Sequence, residues 1–281
     1  MKRFSGSCIG LFLVFGLISA SVFAAEPGHK VTAATSTAMC SGFGPQTPRD
    51  IDSKEGKNNR AFATAPAYDQ MNLCNIHFHE NAEHKARDFS IYAGEGKAGY
   101  DSGYKCNMGK SLSKAELVKL EKPACKGEHG DLQSGDTVEV HWVHSTADVK
   151  PGKTLGACLS EKNINPDLRV EAQVFVLVND KNALNFNEMG YGGNIRNGFH
   201  QAKAIPGNTG KPVVFTGSTT GPKYSDSTCS PLQVTWSVRQ QCAKLDINSL
   251  AKWCESNEFA EDHAHGVRKL VTSPELLSEI K

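Results

Sequence analysis

The sequence predicts a mainly β fold of the α+β class, one domain with few short helices. Three observations lead there. Five separated segments show apolar alternation of period two or short β-branched runs. The connections between them are long and rich in Gly, Asn, Ser and Thr. No Pro/Ser-rich linker and no internal repeat divides the chain.

At the N-terminus, Lys2 and Arg3 precede an apolar run from about Cys8 to Phe23, closed by Ala24-Ala25. This charged–apolar–small order is that of a secretory signal peptide, with cleavage expected after Ala24. The run is too short for a membrane span, and no later stretch is apolar enough. Setting aside residues 1–24 leaves residues 25–281 as the folded domain, in a periplasmic or secreted protein. Without Lys2 and Arg3 the formal charge moves from +1 to −1. Near-neutral, scattered charge argues against nucleic acid or anionic membrane as the main partner. Eight cysteines remain, at positions 40, 74, 106, 125, 158, 229, 242 and 254. An even count in an exported chain reads as disulfides, and without a Cys-x-x-Cys a cysteine-held zinc is disfavoured.

The elements follow in order. Residues 25–70 read as an extended N-terminal segment, and residues 72–79 as the first strand. Ser113-x-x-Glu116 is a capping box, so residues 115–120 are expected as a short helix ending before Pro123. Residues 136–144 alternate as a second strand. Residues 168–178 form a long β-branched run, expected as a central strand. Residues 211–216 and 233–239 are two further strands, separated by a Gly/Ser/Thr loop at 217–231. Residues 249–254 and 274–280 are expected as terminal helices.

The chemistry is concentrated in two of the strands. Asn75-Ile76-His77-Phe78-His79 puts Asn75, His77 and His79 on one face, since residues two apart on a strand point the same way. Glu139-Val140-His141 does the same for Glu139 and His141. Side by side, the two strands bring three imidazoles together, the donor set of a catalytic zinc with an open fourth position. Asn75 and Glu139 are placed to accept the ligands' other ring N–H. His144 has the opposite parity to His141 and is expected to pack. His263-x-His265 lies in a polar, charged segment and is expected in a solvated helix or loop.

These residues resemble carbonic anhydrases. The alpha class has Gln-Phe-His-Phe-His, then Ser-Glu-His, then Glu-Leu-His-Leu-Val-His. Here Asn75-Ile76-His77-Phe78-His79, Ala82-Glu83-His84 and Glu139-Val140-His141-Trp142-Val143-His144 follow in the same order. Gln46-Thr47-Pro48-Arg49-Asp50-Ile51, Gly217-Ser218-Thr219-Thr220 and Val234-Thr235-Trp236-Ser237-Val238 are similar to further family segments. The 39–50 run and Met71 to His79 look more like the delta class. The resemblance implies a central twisted, largely antiparallel sheet. It implies reversible hydration of carbon dioxide to bicarbonate and a proton by zinc hydroxide on His77, His79 and His141, with sulfonamides as inhibitors. Cobalt or cadmium can substitute on the same imidazoles. It also implies Glu83 and Thr219 as the pair orienting the hydroxide, with Thr220 or Ser225 as alternatives to Thr219. Val143 and Trp236 would line the carbon dioxide pocket, and Cys40 would bridge Cys229. No residue matches the family's His proton shuttle.

Two other readings stay open at this level. One is a carbonic-anhydrase-related secreted protein that binds metal without catalysis. The other is a cupin-type metalloenzyme, for which His77, His79 and Glu83 fit, while Met71 and Ser90 stand where its glycines belong.

Overall fold

The strands form where the sequence alternates. In a computed structural model, residues 40–96, 100–127, 130–221 and 223–281 are described, all within a unit spanning Ala34–Lys281. The proposed signal peptide lies outside the described residues. The central strands are β1 (Asn72–Glu80), β2 (Thr137–Ser145), β3 (Leu168–Val178), β4 (Pro212–Ser218), β5 (Gln233–Arg239) and β6 (Ala243–Asp246). Their order is β1-β2-β3-β5-β4, with β6 also on β3.

The sheet is largely antiparallel, as expected, though mixed: two of its five pairings are parallel. β1–β2, β2–β3 and β4–β5 are antiparallel. β5 and β6 both run parallel to β3, β5 along Arg169–Ala172 and β6 along Phe175–Val178. Eleven residues make β3 long enough to pair with two short strands end to end on one edge. Apolar layers cover both faces of β3, and its second half, Val174 to Val178, is a continuous apolar run, while Arg169, Glu171 and Gln173 alternate with apolar residues in the first half.

Two apolar layers sandwich the sheet. One holds Phe78, Val140, Trp142, Phe175 and Leu177 against α1 (Ile247–Glu255), whose Ile247, Leu250 and Trp253 are buried. Asp246 caps α1 by accepting from the Asn248 N–H at 3.1 Å. The other layer holds Val143, Val170, Ala172, Val174, Trp236 and Val238, on the face that carries the candidate ligands.

Two expected helices are absent. The capping box forms, Ser113 N–H donating to Glu116 at 2.8 Å, but the segment makes only a turn. It has a half-exposed Val118 and no buried face to extend it. Residues 274–280 instead bridge the N-terminal segment, Leu277 to Gln46 and Ser278 to Asn58. Those backbone pairings, together with Ser278 Oγ donating to the Gln46 carbonyl at 3.0 Å, compete successfully with a helix.

All eight of these cysteines are paired: Cys40–Cys229, Cys74–Cys158, Cys106–Cys242 and Cys125–Cys254. The first is the bridge the resemblance implied. Four disulfides belong in an oxidising compartment. Among the described residues no helix is long and apolar enough to cross a membrane.

His144 packs as expected. It is fully buried, with its ring 5.5 Å from Tyr68 and its Nδ1 3.2 Å from the Trp142 carbonyl. Burial pulls its pKa down to about 3. Its imidazole is therefore neutral in the fold and a cation in the unfolded chain below the ordinary value of about 6.5. The stability this neutrality gives is complete above about 6.5 and is lost as pH falls from there toward 3. We expect His144→Gln to flatten the loss of stability between pH 7 and 5, by up to ~1.4 kcal/mol per pH unit. Urea unfolding at several pH values tests this; identical pH slopes for the two proteins would contradict it.

Candidate metal centre

The register of β1 on β2 builds the site. His77 lies directly opposite His141, and His79 opposite Glu139. Opposed residues of an antiparallel pair share a face with Cβ atoms about 5 Å apart. A shift of register between Leu73 and Asn75 sets this pairing. The three imidazoles converge, their ring centroids 4.8 to 5.4 Å apart. One nitrogen from each lies within 4.8 Å of the others.

Polar side chains adjoin all three rings. Asn75 Oδ1 is 2.7 Å from His77 Nδ1, which fixes that nitrogen as the N–H and leaves Nε2 with its lone pair. His77 Nε2 is 3.2 Å from His141 Nδ1. Two ligands of a tetrahedral zinc at ~2.05 Å are separated by about 3.3 Å, so this pair has ligand spacing. On the far side of His141, Nε2 is 3.3 Å from Glu139 Oε1. His79 Nδ1 lies 3.2 Å from Glu83 Oε2 without a well-directed hydrogen bond.

Glu139 anchors more than His141. Its Oε1 accepts from His84 Nδ1 at 2.8 Å, and its Oε2 from the backbone N–H groups of Glu83 and His84. The chain reaches it through Asn81, whose φ of 65° turns β1 away from the sheet. Asn is among the few residues that take that conformation readily. Glu139 is wholly buried, which by itself raises its pKa. The charges and hydrogen bonds of His84 and His141 outweigh burial and hold the carboxyl well below the usual range. His84, given little weight by sequence, is thus an integral part of the site.

Burial holds His77 and His79 well below the ordinary imidazole pKa, with His141 adding to the effect. Neutral imidazoles are what a metal requires, since a protonated ring has no lone pair to give. The fully buried Glu83 is pushed up, again by burial first, with His141 and His84 opposing. A dication on the three imidazoles would favour its ionised form. The donor set, the 3.2 Å pair and the neutral rings fit a zinc ion.

The hydroxyl nearest Glu83 belongs to Thr220, not Thr219. Thr220 Oγ1 is 3.5 Å from Glu83 Oε2, whereas Thr219 Oγ1 pairs with Ser230 Oγ at 2.9 Å. Ser225 pairs with Ser227 in the loop. Val143 and Trp236 line a cavity of about 40 Å³ with His77, His141, Leu155, Thr219 and Thr220. Trp236 is locked by its indole N–H donating to the Ser218 carbonyl at 3.0 Å. A larger cavity of about 600 Å³ opens outward from His77, His79 and Thr220.

The segment expected to be solvated also reaches the site. β1 is an edge strand, and its free backbone groups pair with residue 265: Glu80 N–H donates to the His265 carbonyl and His265 N–H to the Phe78 carbonyl. This sets the His265 ring 5.8 Å from His77 and 6.1 Å from His79. No local signal in the polar sequence of 261–265 announces that docking.

Among solved structures, the chain is similar to an alpha-carbonic anhydrase from Thermovibrio ammonificans in complex with the inhibitor sulfanilamide. The identity is 14%, over 84% of this chain and 91% of that one, with a TM-score of 0.25. It is also similar to an alpha-carbonic anhydrase of Photobacterium profundum, at 14% identity over 84% of this chain and 92% of that one, again with a TM-score of 0.25. No curated protein matches. The family model for delta carbonic anhydrase matches residues 68–249, well over half the chain and the whole of the β1–β2 site. The chain belongs to the delta carbonic anhydrases.

Proposed function

We propose that His77, His79 and His141 hold a zinc ion and that carbon dioxide is hydrated beside it, between Thr220 and the small apolar cavity. The observation that carries this reading is the convergence of three largely buried imidazoles, two with nitrogens 3.2 Å apart. Zinc on such a set supplies hydroxide at neutral pH; a water pKa of about 7 is the established carbonic anhydrase value, not one derived from this chain.

This chain's own residues do the rest. Asn75 and Glu139 hold the His77 and His141 rings in the tautomers that leave a lone pair for the ion. Thr220 donates its proton to Glu83, which leaves its oxygen to accept one from the attacking hydroxyl and so orients the attack. Val143 and Trp236 give carbon dioxide an apolar wall. Cobalt or cadmium would occupy the same imidazoles. A non-catalytic relative is disfavoured because the full donor set is retained. Residues 1–24 act as a signal peptide, and the protein works in the periplasm or outside the cell, where its disulfides persist.

Dialysis against a chelator should abolish hydration, and added zinc should restore it. Thr220→Ala should lower kcat/KM by about 10²-fold, the usual scale for removing one preorganised polar contact to the reacting centre. Thr219→Ala should lower it less, since the Thr219 hydroxyl is taken by Ser230 and its side chain only lines the cavity. Stopped-flow assays decide between the two hydroxyls; the reverse ranking would return the role to Thr219.

A further inference from the structure

The four disulfides differ in their access to solvent. Cys40, Cys74, Cys106, Cys158 and Cys229 are buried, so three of the bridges have at least one end shut inside the fold. Cys125 and Cys254 are both half-buried, and both line a cavity of about 1060 Å³. Four lysines and four acidic residues share that lining, so net charge neither attracts nor repels an entering thiolate. A disulfide is cut by attack of a thiolate on sulfur, which needs an open approach. Among the described cysteines only this bridge offers one at both ends. Reducing a bridge such as Cys74–Cys158, fully buried at both ends, first requires the core to open.

The same bridge heads a backbone path that runs round the edge of the sheet to the candidate site. Cys125 lies in the strand Ala124–Gly127, and Cys254 in the last turn of α1. Beside Cys125, the Lys126 N–H donates to the Asp262 carbonyl at 3.3 Å, and the Ala264 N–H to the Lys126 carbonyl at 2.6 Å. One residue on, His265 N–H donates to the Phe78 carbonyl at 2.9 Å and Glu80 N–H to the His265 carbonyl at 2.8 Å, on the free edge of β1. Beside Cys254, the Trp253 ring packs 6.2 Å from that of Phe259. Residues 259–265 are thus held between the two ends of the bridge and the strand that carries His77 and His79. Six of them line the 600 Å³ cavity. β1 itself has separate ties, its pairing with β2 and the buried Cys74–Cys158 bridge.

We propose that Cys125–Cys254 is a redox-sensitive latch on the outer wall of that cavity. A dithiol reduces this bridge alone, and its opening loosens residues 259–265 from the edge of β1 while β1 and β2 stay paired. In the step, a thiolate of the dithiol attacks one sulfur, and the other cysteine leaves as a thiolate and takes up a proton. The second thiol of the dithiol then displaces the mixed disulfide. The cysteine pair gains two electrons and two protons, and the dithiol closes to a disulfide. Exchange with an oxidised dithiol runs the step backward and resets the latch.

The test equilibrates the oxidised protein in buffers of graded reduced and oxidised dithiothreitol, traps thiols with iodoacetamide and maps them by mass. Cys125 and Cys254 should be trapped at a ratio of reduced to oxidised reagent at least about tenfold lower than any other pair, a gap of about 30 mV. At that ratio, amide hydrogen exchange at Ala264 and His265 should quicken about tenfold or more, with exchange in β2 unchanged. The double variant Cys125→Ser/Cys254→Ser should show the same exchange pattern without reductant. Reduction of another bridge first, or of all four together, overturns the latch. So does unchanged exchange at Ala264 and His265 once the pair is reduced, or a loss of protection that spreads through β2. No readout here depends on hydration, so the latch and the reading above fail separately.

Discussion

His141→Ala should reduce hydration to the uncatalysed background and strip the protein of zinc. In the proposed site His141 would contribute one of three ligand nitrogens, its Nδ1 lying 3.2 Å from the Nε2 of His77. Its Nε2 faces Glu139 Oε1 at 3.3 Å. Outer partners of metal ligands alone are worth about 10–100-fold in affinity or activity, so losing a ligand costs more than that. The truncation leaves Glu139 buried with His84 as its remaining imidazole partner, and an unpaired share of buried charge is costly. Glu139→Gln is the graded companion. It should lower zinc affinity or activity by about 10–100-fold while the three ligands remain. Metal analysis and stopped-flow hydration on the same samples check both; zinc retained at one per chain in His141→Ala would refute the ligand assignment.

Loss of the disulfides should have the largest effect on stability. The bridges span 189, 84, 136 and 129 residues. Closing loops of that size in the unfolded chain is worth roughly 4–5 kcal/mol each in the chain-entropy model. The loops overlap along the chain, so the contributions do not sum. Domain stabilities are about 5–15 kcal/mol, so even one bridge is a large fraction. Cys125–Cys254 ties the Ala124–Gly127 strand to α1, behind the sheet from the metal ligands. Replacing both by Ser should lower Tm by about 10–20 °C, at roughly 2–4 °C per kcal/mol for a domain of this size. Full reduction should unfold the protein at ordinary temperature. Thermal scans with and without reductant decide this; superimposable curves would show that the core holds without the bridges.

The parts legible in the sequence were those set by period. His77, His79, His141, Asn75 and Glu139 sit on alternating strands, and alternation alone puts them on one face. The mainly β character followed from the same signal. What escaped was decided by contacts between distant segments. Thr219 and Thr220 differ by one position at the end of β4, so the choice depended on how the chain leaves the strand. There Thr219 N–H donates to Leu232, and its hydroxyl is taken by Ser230. The direction of β5 and β6 along β3 is a matter of topology, not of their own residues. Residues 274–280 had helical composition, but the N-terminal segment offered backbone partners. His265 came to the site because β1 is an edge strand with free hydrogen-bonding groups. A polar sequence carries no mark of such an edge.

Three histidines on two adjacent strands are proposed to hold a zinc ion beside which carbon dioxide is hydrated. The most direct test is stopped-flow hydration by the oxidised protein lacking residues 1–24, with zinc measured on the same sample. Fast hydration with about one zinc per chain is expected, as a single three-histidine site requires. Full zinc occupancy without hydration would contradict it.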